Sequence, residues 1–307
     1  MTAPGGWRDR CTLLQADYRE TLAAAAARGG ADLIATSPPY CDARTYGASV
    51  SWTMDDYRAL GDAVWGALKP GGHALINVDA PVRDWAKDGR GTERGLHPWR
   101  LMIDWHDRIG FRVPDRLAYG RQGLPGAYAG RFRNDWEPLL WFQRPGGNGA
   151  FDRRALAEAA IGNRRPHRQG NFGGVRDGSS REMSGWAVDE GKRHRGTLWE
   201  YGLAGCGHTG ALDIEDQGHP ARWPYKLAED LVRCFAAPGA LVVDPFLGAG
   251  TTAAAALAHG RTFLGGDSGS RQDSDFNRAR GLEPLPWVEV AARVLDARYR
   301  QIRMFGP

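Results

Sequence analysis

The chain has 307 residues, and its 42% hydrophobic and 25% charged content is typical of a folded globular protein rather than a disordered one. No run approaches the roughly 20 apolar residues of a membrane span, and the four scattered cysteines form no CxxC pair, so neither a zinc site nor a disulfide framework is indicated. The net charge of +4 is weak evidence for a polyanionic partner, and the unpaired cysteines favour a reducing cytoplasm.

The first 145 residues alternate short apolar runs with amphipathic or alanine-rich stretches. The apolar runs end at acids, glycines or prolines and therefore predict strands, at residues 12–17, 32–36, 73–78, 111–119 and 137–142. Helical periodicity predicts helices at residues 20–28, at 57–68 with Asp55 or Asp56 as the N-cap, and at 97–109. This alternation indicates βαβ units and a mostly parallel sheet.

The periodic pattern fades between residues 144 and 212, where Gly, Arg, Asn and Ser dominate. A stretch of that length exceeds a connection inside a compact domain, so we predict an inserted, partly extended subdomain. Regular pattern then returns, with predicted helices at 225–235, 251–259 and 287–300 and predicted strands at 241–244 and 261–267.

A glycine-rich turn follows the strand at 241–244. Gly248 and Gly250 let the backbone pass close to a ligand, and the amides that open the next helix suit an anion. Asp267 ends the following strand, where a ribose-binding acid belongs in a nucleoside pocket. Two alternatives fit the same spacing: tight packing of strand against helix, and a nicotinamide-dependent oxidoreductase, although the third glycine of that fingerprint is absent.

A proline-rich turn, Ser37-Pro38-Pro39-Tyr40, follows the strand at 32–36. The prolines fix φ and remove backbone donors, so the carbonyls of Ser37 and Pro38 are rigid and free to accept hydrogen bonds. The Ser37 hydroxyl adds an acceptor, and Tyr40 offers a flat face. These groups describe a receptor for an exocyclic amino group on a planar ring, whereas the tetrapeptide taken alone slightly favours a proline stop followed by a packing tyrosine.

Taken together, the two turns resemble the motifs of the amino-methylating DNA methyltransferases that use S-adenosylmethionine. The matching segments are Thr36-Ser37-Pro38-Pro39-Tyr40 and Asp244-Pro245-Phe246-Leu247-Gly248-Ala249-Gly250-Thr251, and their order resembles the permuted β group. Gln15-Ala16-Asp17 resembles the family's N-terminal strand with its adenine-contacting acid. His219-Pro220-Ala221, followed by Trp223, resembles the start of the helix that borders the methionine end of the cofactor. The resemblance covers residues 10–145 and 195–267.

This resemblance implies an α/β fold with a Rossmann-like, seven-stranded, mostly parallel sheet that is circularly permuted and carries an inserted target-recognition region. Residues 1–145 would form the catalytic half of the methyltransferase domain, 146–212 the insert, and 213–307 the cofactor-binding half. The implied cofactor-binding residues come from both halves: Asp17, Thr36, His219, Pro220, Ala221, Trp223, Asp244, Pro245, Phe246, Gly248, Gly250, Thr251, Thr252 and Asp267.

The implied catalytic residues are Ser37, Pro38, Pro39 and Tyr40. The target base would be flipped out of the duplex, since its amino nitrogen cannot be reached inside the stack. Ser37 and the Pro38 carbonyl would accept the amino protons, while Tyr40 stacks on the base. Transfer would be direct, without a cysteine nucleophile or a metal ion.

The serine before Pro-Pro-Tyr is commoner in the cytosine-N4 members of this family, and aspartate is commoner in the adenine-N6 members. The sequence therefore predicts a site-specific cytosine-N4 DNA methyltransferase, with adenine-N6 methylation as the alternative. Double-stranded DNA is the predicted partner, and a cognate restriction endonuclease (a restriction-modification pair) and a homodimer are also allowed. More remote alternatives are an RNA amino-methyltransferase, an oxidoreductase and a DNA-binding protein without catalysis.

Cationic side chains outside the two turns are candidates for phosphate or guanine contacts. They are Arg44, Arg131, Arg133, Arg164, Arg165, Arg168, Arg176, Lys192 and Arg193. A solvated loop face accounts for scattered arginines equally well. Two features depart from the family pattern: residues 268–285 separate Asp267 from the last helix, and Trp223 stands where other hydrophobic residues are frequent.

Overall fold

The computed structural model describes residues 6–40, 52–80, 82–84, 92–121, 132, 134–159, 192–193, 195–201, 223–270, 277–278, 281 and 283–305. The strands are β1 (Cys11–Leu14), β2 (Ala31–Thr36), β3 (Leu68–Asn77), β4 (Val82–Asp84), β5 (Thr92–Arg94), β6 (Arg116–Arg121), β7 (Trp136–Gln143), β8 (Glu158–Ala159), β9 (Lys192–Arg193), β10 (Leu198–Tyr201), β11 (Leu241–Asp244) and β12 (Thr262–Gly266). The helices are α1 (Tyr18–Ala27), α2 (Met54–Ala67), α3 (His97–Asp104), α4 (Tyr225–Phe235), α5 (Thr251–Ala258) and α6 (Trp287–Phe305).

Eight strands form one central sheet in the order β1-β12-β11-β2-β3-β7-β6-β10. Strand β7 pairs antiparallel with both its neighbours, and the other pairs in this sheet are parallel. The predicted α/β, mostly parallel sheet is therefore confirmed, with eight strands where we expected seven. The additional strand, β10, lies within residues 146–212, the expected insert, yet it pairs with β6. Most of that expected insert lies outside the described residues.

The two turns of interest follow neighbouring strands at the centre of the sheet. Strands β2 and β11 pair in parallel, with Leu33 beside Val242 and Ile34 beside Val243. From β2 the chain runs through α2 to β3 on one side, and from β11 it runs through α5 to β12 on the other. The connections therefore diverge between β2 and β11, which is the topological switch point where open α/β sheets bind ligands.

Helices cover both faces of the sheet. Helices α1, α2 and α3 contribute Leu22, Leu60 and Leu101 to one fully buried cluster, while α4 and α5 contribute Leu231 and Ala253 to the other. Each buried leucine contributes about 1.5–3 kcal/mol relative to an exposed one. Burial on both faces explains why the central strands are almost continuously apolar. No helix in the described part of the chain is both long and apolar enough to cross a bilayer.

Several element boundaries differ from the predicted ones for local reasons. Thr53 caps α2 in place of Asp55 or Asp56: its hydroxyl accepts from the Asp56 amide at 3.4 Å, and the Asp56 carboxylate accepts from the Thr53 amide at 2.9 Å. This reciprocal pair is a capping box, in which the acid belongs three residues after the cap. Strand β6 begins at residue 116 rather than 111, and α3 continues as a single π-helical turn, Trp105–Ile109.

Candidate active site

A buried carboxylate joins the two turns. The Thr36 hydroxyl, at the end of β2, donates to Asp244 Oδ1 over 2.6 Å, although 208 positions separate the two residues. The Thr252 hydroxyl donates to Asp244 Oδ2 at 2.7 Å, and the Phe246 amide donates to Oδ1 at 3.1 Å. Asp244 is only 4% exposed. Thr36, Asp244 and Thr252, all predicted cofactor-binding residues, thus lie under the turns and hold them together.

The glycine turn is fixed by left-handed backbone and by the acid that follows β12. Gly248 has φ +49° and Gly250 has φ +83°, a region that favours glycine. The Gly248 amide donates to Asp267 Oδ2 at 2.8 Å, and the Gly269 amide donates to Oδ1 at 2.8 Å. A carboxylate oxygen accepts more than one hydrogen bond, so Asp267 has the capacity to accept from a ribose hydroxyl as well.

Gly250 also has a packing role. A Cβ at this position would lie 2.8 Å from the Ala291 Cβ of helix α6. Close packing of the turn against a helix is therefore part of what requires this glycine. The same feature leaves no room for a side chain between the turn and the helix behind it.

Gly250→Ala is expected to lower the free energy of unfolding by about 2–5 kcal/mol, the sum of left-handed strain and overpacking. Gly239 is a matched control, since it has φ +80° but no atom within 4 Å of the place that a Cβ would occupy. Gly239→Ala should therefore cost only the strain, about 1–2 kcal/mol. Urea denaturation of both variants measures the difference, and equal losses would contradict the packing role of Gly250.

The proline turn is held from two sides. The Tyr57 hydroxyl of helix α2 donates to the Pro39 carbonyl at 2.8 Å. The Tyr40 hydroxyl lies 2.9 Å from Glu137 Oε2, 3.3 Å from Asn77 Oδ1 and 3.5 Å from Ser37 Oγ. Pro38 is buried, while Ser37 and Tyr40 are half-buried. The turn is thus rigid, and its serine and tyrosine keep part of their surface accessible.

Three polar side chains near Tyr40 go beyond what the sequence predicts: Asn77, Glu137 and Arg121. Asn77 and Glu137 are 1% and 5% exposed, and Glu137 Oε1 pairs with Arg121 Nη1 at 2.7 Å. The Asn77 amide donates to the Pro138 carbonyl at 3.0 Å, and its oxygen accepts from the Trp223 indole at 2.9 Å. The signal in the sequence is an asparagine and a glutamate next to or inside apolar strand runs.

The remaining predicted cofactor residues are placed differently from one another. Phe246 stacks on Tyr18, with ring centroids 5.6 Å apart, and meets Trp52 edge-on at 5.3 Å. Asp17 caps helix α1 by accepting from the amides of Arg19 and Glu20 at 2.8 and 3.0 Å.

Two of the predicted DNA-contacting residues, Lys192 and Arg193, form β9, which pairs with β8 in a separate two-stranded sheet. The other candidates lie outside the described residues: Arg44, Arg131, Arg133, Arg164, Arg165, Arg168, Arg176, His219, Pro220 and Ala221.

Chemically, the two neighbouring strand ends place rigid hydrogen-bond acceptors next to a glycine turn whose backbone a ligand can approach closely. The described cysteines do not offer a nucleophile, because burial raises the pKa of Cys11 and of Cys234 to about 12 and keeps both protonated at neutral pH. Within the described ranges, no three metal-ligating side chains are placed to hold an ion. This arrangement is compatible with direct transfer between two bound molecules.

Comparison with known proteins gives a consistent result. A family model described as DNA methylase matches residues 31–272. The chain is 26% identical over 241 residues to the orphan methyltransferase M.BamHII of Bacillus amyloliquefaciens, an alignment that covers 76% of this chain and 82% of that protein. It is 41% identical over 169 residues to the DNA adenine methyltransferase YhdJ of Escherichia coli, covering 53% and 51% of the two chains.

Solved structures share the fold. The PvuII DNA methyltransferase, described as cytosine-N4-specific, superposes with a TM-score of 0.58 at 17% identity, over 94% of this chain and 93% of that one. TTHA0409 of Thermus thermophilus, a putative DNA modification methylase crystallised with S-adenosyl-L-methionine, superposes with a TM-score of 0.54 at 23% identity, over 94% and 93%.

Proposed function

The chain belongs to the DNA methylase family, and from this premise we propose that it methylates the N4 amino group of cytosine at a specific site in double-stranded DNA. Members of this family transfer methyl groups from S-adenosylmethionine to amino groups of DNA bases. The observation that carries the proposal is the joint between Thr36 and Asp244, which brings Ser37-Pro38-Pro39-Tyr40 and the glycine turn into one crevice. Serine as the first residue of the proline turn, and the cytosine-N4 description of the PvuII enzyme, support cytosine over adenine.

The residues of the glycine turn fit the cofactor. Gly248 and Gly250 allow its close approach, Asp267 offers carboxylate oxygens to a ribose hydroxyl, and Phe246 presents an aromatic ring beside them. S-adenosylmethionine supplies an electrophilic methyl group on a positively charged sulfur. In this proposal the protein positions the methyl group, and the hydrogen bonds of Asp244 hold the glycine turn in place.

Ser37, Pro38 and Tyr40 hold the target base. The Ser37 hydroxyl and the Pro38 carbonyl accept hydrogen bonds from the two amino N–H groups, which turns the nitrogen lone pair out of conjugation and toward the methyl group. When the N–C bond forms and the methyl–sulfur bond breaks, sulfur is left as a neutral thioether and the nitrogen gives up one of these two protons to solvent. The Pro39 carbonyl, which accepts from Tyr57, serves instead to fix the turn. Tyr40 stacks on the flipped base. Correct alignment of the two reactants supplies most of the acceleration.

Adenine-N6 methylation is the second candidate, because YhdJ, 41% identical over half of this chain, is named an adenine methyltransferase. Nucleoside mass spectrometry separates the two. Plasmid DNA incubated with the purified protein and S-adenosylmethionine should contain N4-methylcytosine. N6-methyladenine would overturn the base assignment, and unmodified DNA together with methylated RNA would overturn the choice of substrate.

The remaining proposals concern context. Double-stranded DNA is the proposed partner in the cytoplasm, and residues 146–212 are proposed to select the target sequence. A cognate restriction endonuclease and a homodimer are further proposals. Calorimetry with S-adenosylmethionine and with a nicotinamide dinucleotide tests the oxidoreductase alternative, which requires binding of the second and not of the first.

A further inference from the structure

A buried polar network lies beside the proline turn and has no part in the mechanism above. It consists of Glu137, Arg121 and Asn77, and it contacts Tyr40 on one side and Trp223 on the other. We propose that Glu137, held by Arg121, is a positioning residue that fixes the ring of Tyr40 through its hydroxyl, so that the tyrosine is already oriented when the base arrives. This inference rests on the proposed function.

The directions of the hydrogen bonds follow from the donor and acceptor types. Tyr40 has one hydroxyl proton, and the Glu137 carboxylate at 2.9 Å is a stronger acceptor than the Asn77 amide oxygen at 3.3 Å. Tyr40 therefore donates to Glu137. The Trp223 indole can only donate, so it donates its hydrogen bond to the Asn77 side-chain oxygen at 2.9 Å. Each of these bonds thus has a defined direction, and the tyrosine oxygen has one preferred position.

Burial of the carboxylate argues for a positioning role. Glu137 is 5% exposed and is neutralised by Arg121 at 2.7 Å. A buried ion pair is often no more stable than an apolar pair of the same size, so stability alone does not call for these residues here. A tyrosine hydroxyl, in contrast, needs a directional acceptor to be held at one angle. Glu137 supplies that acceptor to the tyrosine of the proline turn.

Asn77 extends the network to the cofactor half of the chain. Its oxygen accepts from Trp223, which stands just ahead of helix α4, and its amide donates to the Pro138 carbonyl at 3.0 Å. The segment ahead of α4 is thereby attached to the same strand ends that contact Tyr40. This placement explains a tryptophan at a position where other hydrophobic residues are frequent in the family.

The chain contains a matched arrangement away from the crevice. Asp230 is 1% exposed, accepts from the Tyr201 hydroxyl at 2.8 Å and pairs with Arg195 at 2.7 Å. It joins edge strand β10 to helix α4. Deleting the Tyr201 hydroxyl therefore removes the same kind of bond from the same kind of buried pair, without touching the proline turn.

The test compares Tyr40→Phe, Glu137→Ala, their double variant and Tyr201→Phe, using methyl transfer to DNA, S-adenosylmethionine affinity by calorimetry and thermal stability. Tyr40→Phe and Glu137→Ala should each lower kcat about 10- to 100-fold, the effect of losing a hydrogen bond to a charged group. The double variant should lose no more than either single one. Cofactor affinity should stay within about twofold in Tyr40→Phe, and Tyr201→Phe should lose stability while keeping its kcat.

Glu137→Gln covers the case in which Glu137→Ala does not fold, because the amide keeps an acceptor for Tyr40; it should recover most of the rate. Full kcat in Tyr40→Phe, additive losses in the double variant, or an equal loss of kcat in Tyr201→Phe would each overturn the inference. A wild-type protein that methylates no DNA would overturn the proposed function and this inference with it, so the two failures are distinguishable.

Discussion

Replacing Ser37 with alanine is expected to slow methyl transfer sharply while S-adenosylmethionine still binds. The change removes one of the two acceptors for the amino protons, and loss of a single positioned hydrogen-bonding group at a reacting centre costs about 100- to 1000-fold in rate. The glycine turn is untouched, because Asp244 takes its hydrogen bonds from Thr36, Thr252 and Phe246 and not from Ser37. Transfer of a labelled methyl group to DNA and calorimetry with the cofactor measure the two effects.

Pro38→Ala should give the same separation, because a freed φ angle lets the Pro38 carbonyl turn away from the base. Full transfer activity in either variant would rule out the proposed roles of these acceptors. Loss of cofactor binding together with transfer would instead mean that the proline turn supports the glycine turn.

Replacing Asp244 with alanine should remove both cofactor binding and stability. Three donors, the hydroxyls of Thr36 and Thr252 and the Phe246 amide, would lose their acceptor in a buried site, at about 1–3 kcal/mol each. We expect the free energy of unfolding, measured by urea denaturation, to fall by about 3–9 kcal/mol. Asp32 provides the control at the opposite end of the same strand pair, where its half-buried carboxylate accepts from the Leu241 amide at 2.8 Å. Asp32→Ala should cost less and leave cofactor affinity unchanged.

The buried Asp244 carboxyl also predicts how the stability of the protein changes with pH. Burial raises the pKa of its carboxyl from 3.8 to about 6, against the opposing effect of the Thr36 and Thr252 hydroxyls. A raised pKa in an acid means that the folded protein binds a proton which the unfolded chain releases. The stability contribution is therefore largest below about pH 4 and is lost as the pH rises to about 6. Relative to Asp244→Asn, which does not titrate, the wild type should lose about 3 kcal/mol across this window. A constant difference would contradict the raised pKa.

The central part of the fold follows from the sequence because its signals are local. The runs at 32–36 and 241–244 are apolar and end at residues that cannot continue a strand, so their existence and their ends are both predicted. That they are neighbours follows from the family resemblance rather than from the runs themselves. The hydrogen bond between Thr36 and Asp244 is not predicted from the sequence, since the two residues look like ordinary strand-end residues until the fold brings them together.

What the sequence does not predict is set by long-range contacts. Asn77 and Glu137 adjoin or interrupt two apolar runs, and only the pairing of β3 with β7 and the return of Trp223 show what they bind. Strand β10 has just four residues, with Trp199 and Tyr201 buried and Leu198 and Glu200 exposed, too short an alternation to stand out from its polar surroundings. The N-cap of α2 differs for a simpler reason: three candidate capping residues stand within four positions, and backbone geometry selects Thr53.

The order of strands in the sheet has a consequence for synthesis on the ribosome. Strand β2 has β3 as an early partner on one side, but on its other side stands β11, made about 200 residues later. Until then the nascent chain carries an apolar strand with one open edge, the kind of surface that attracts other chains. Strand β1 remains without its partner in the sheet for even longer, because that partner, β12, follows β11 in the chain. A chain released before β11 is made would thus lack the strand that pairs with β2 and the Asp244 carboxylate that binds Thr36, so this connectivity makes the setting of the proline turn dependent on translation of residues 241–244.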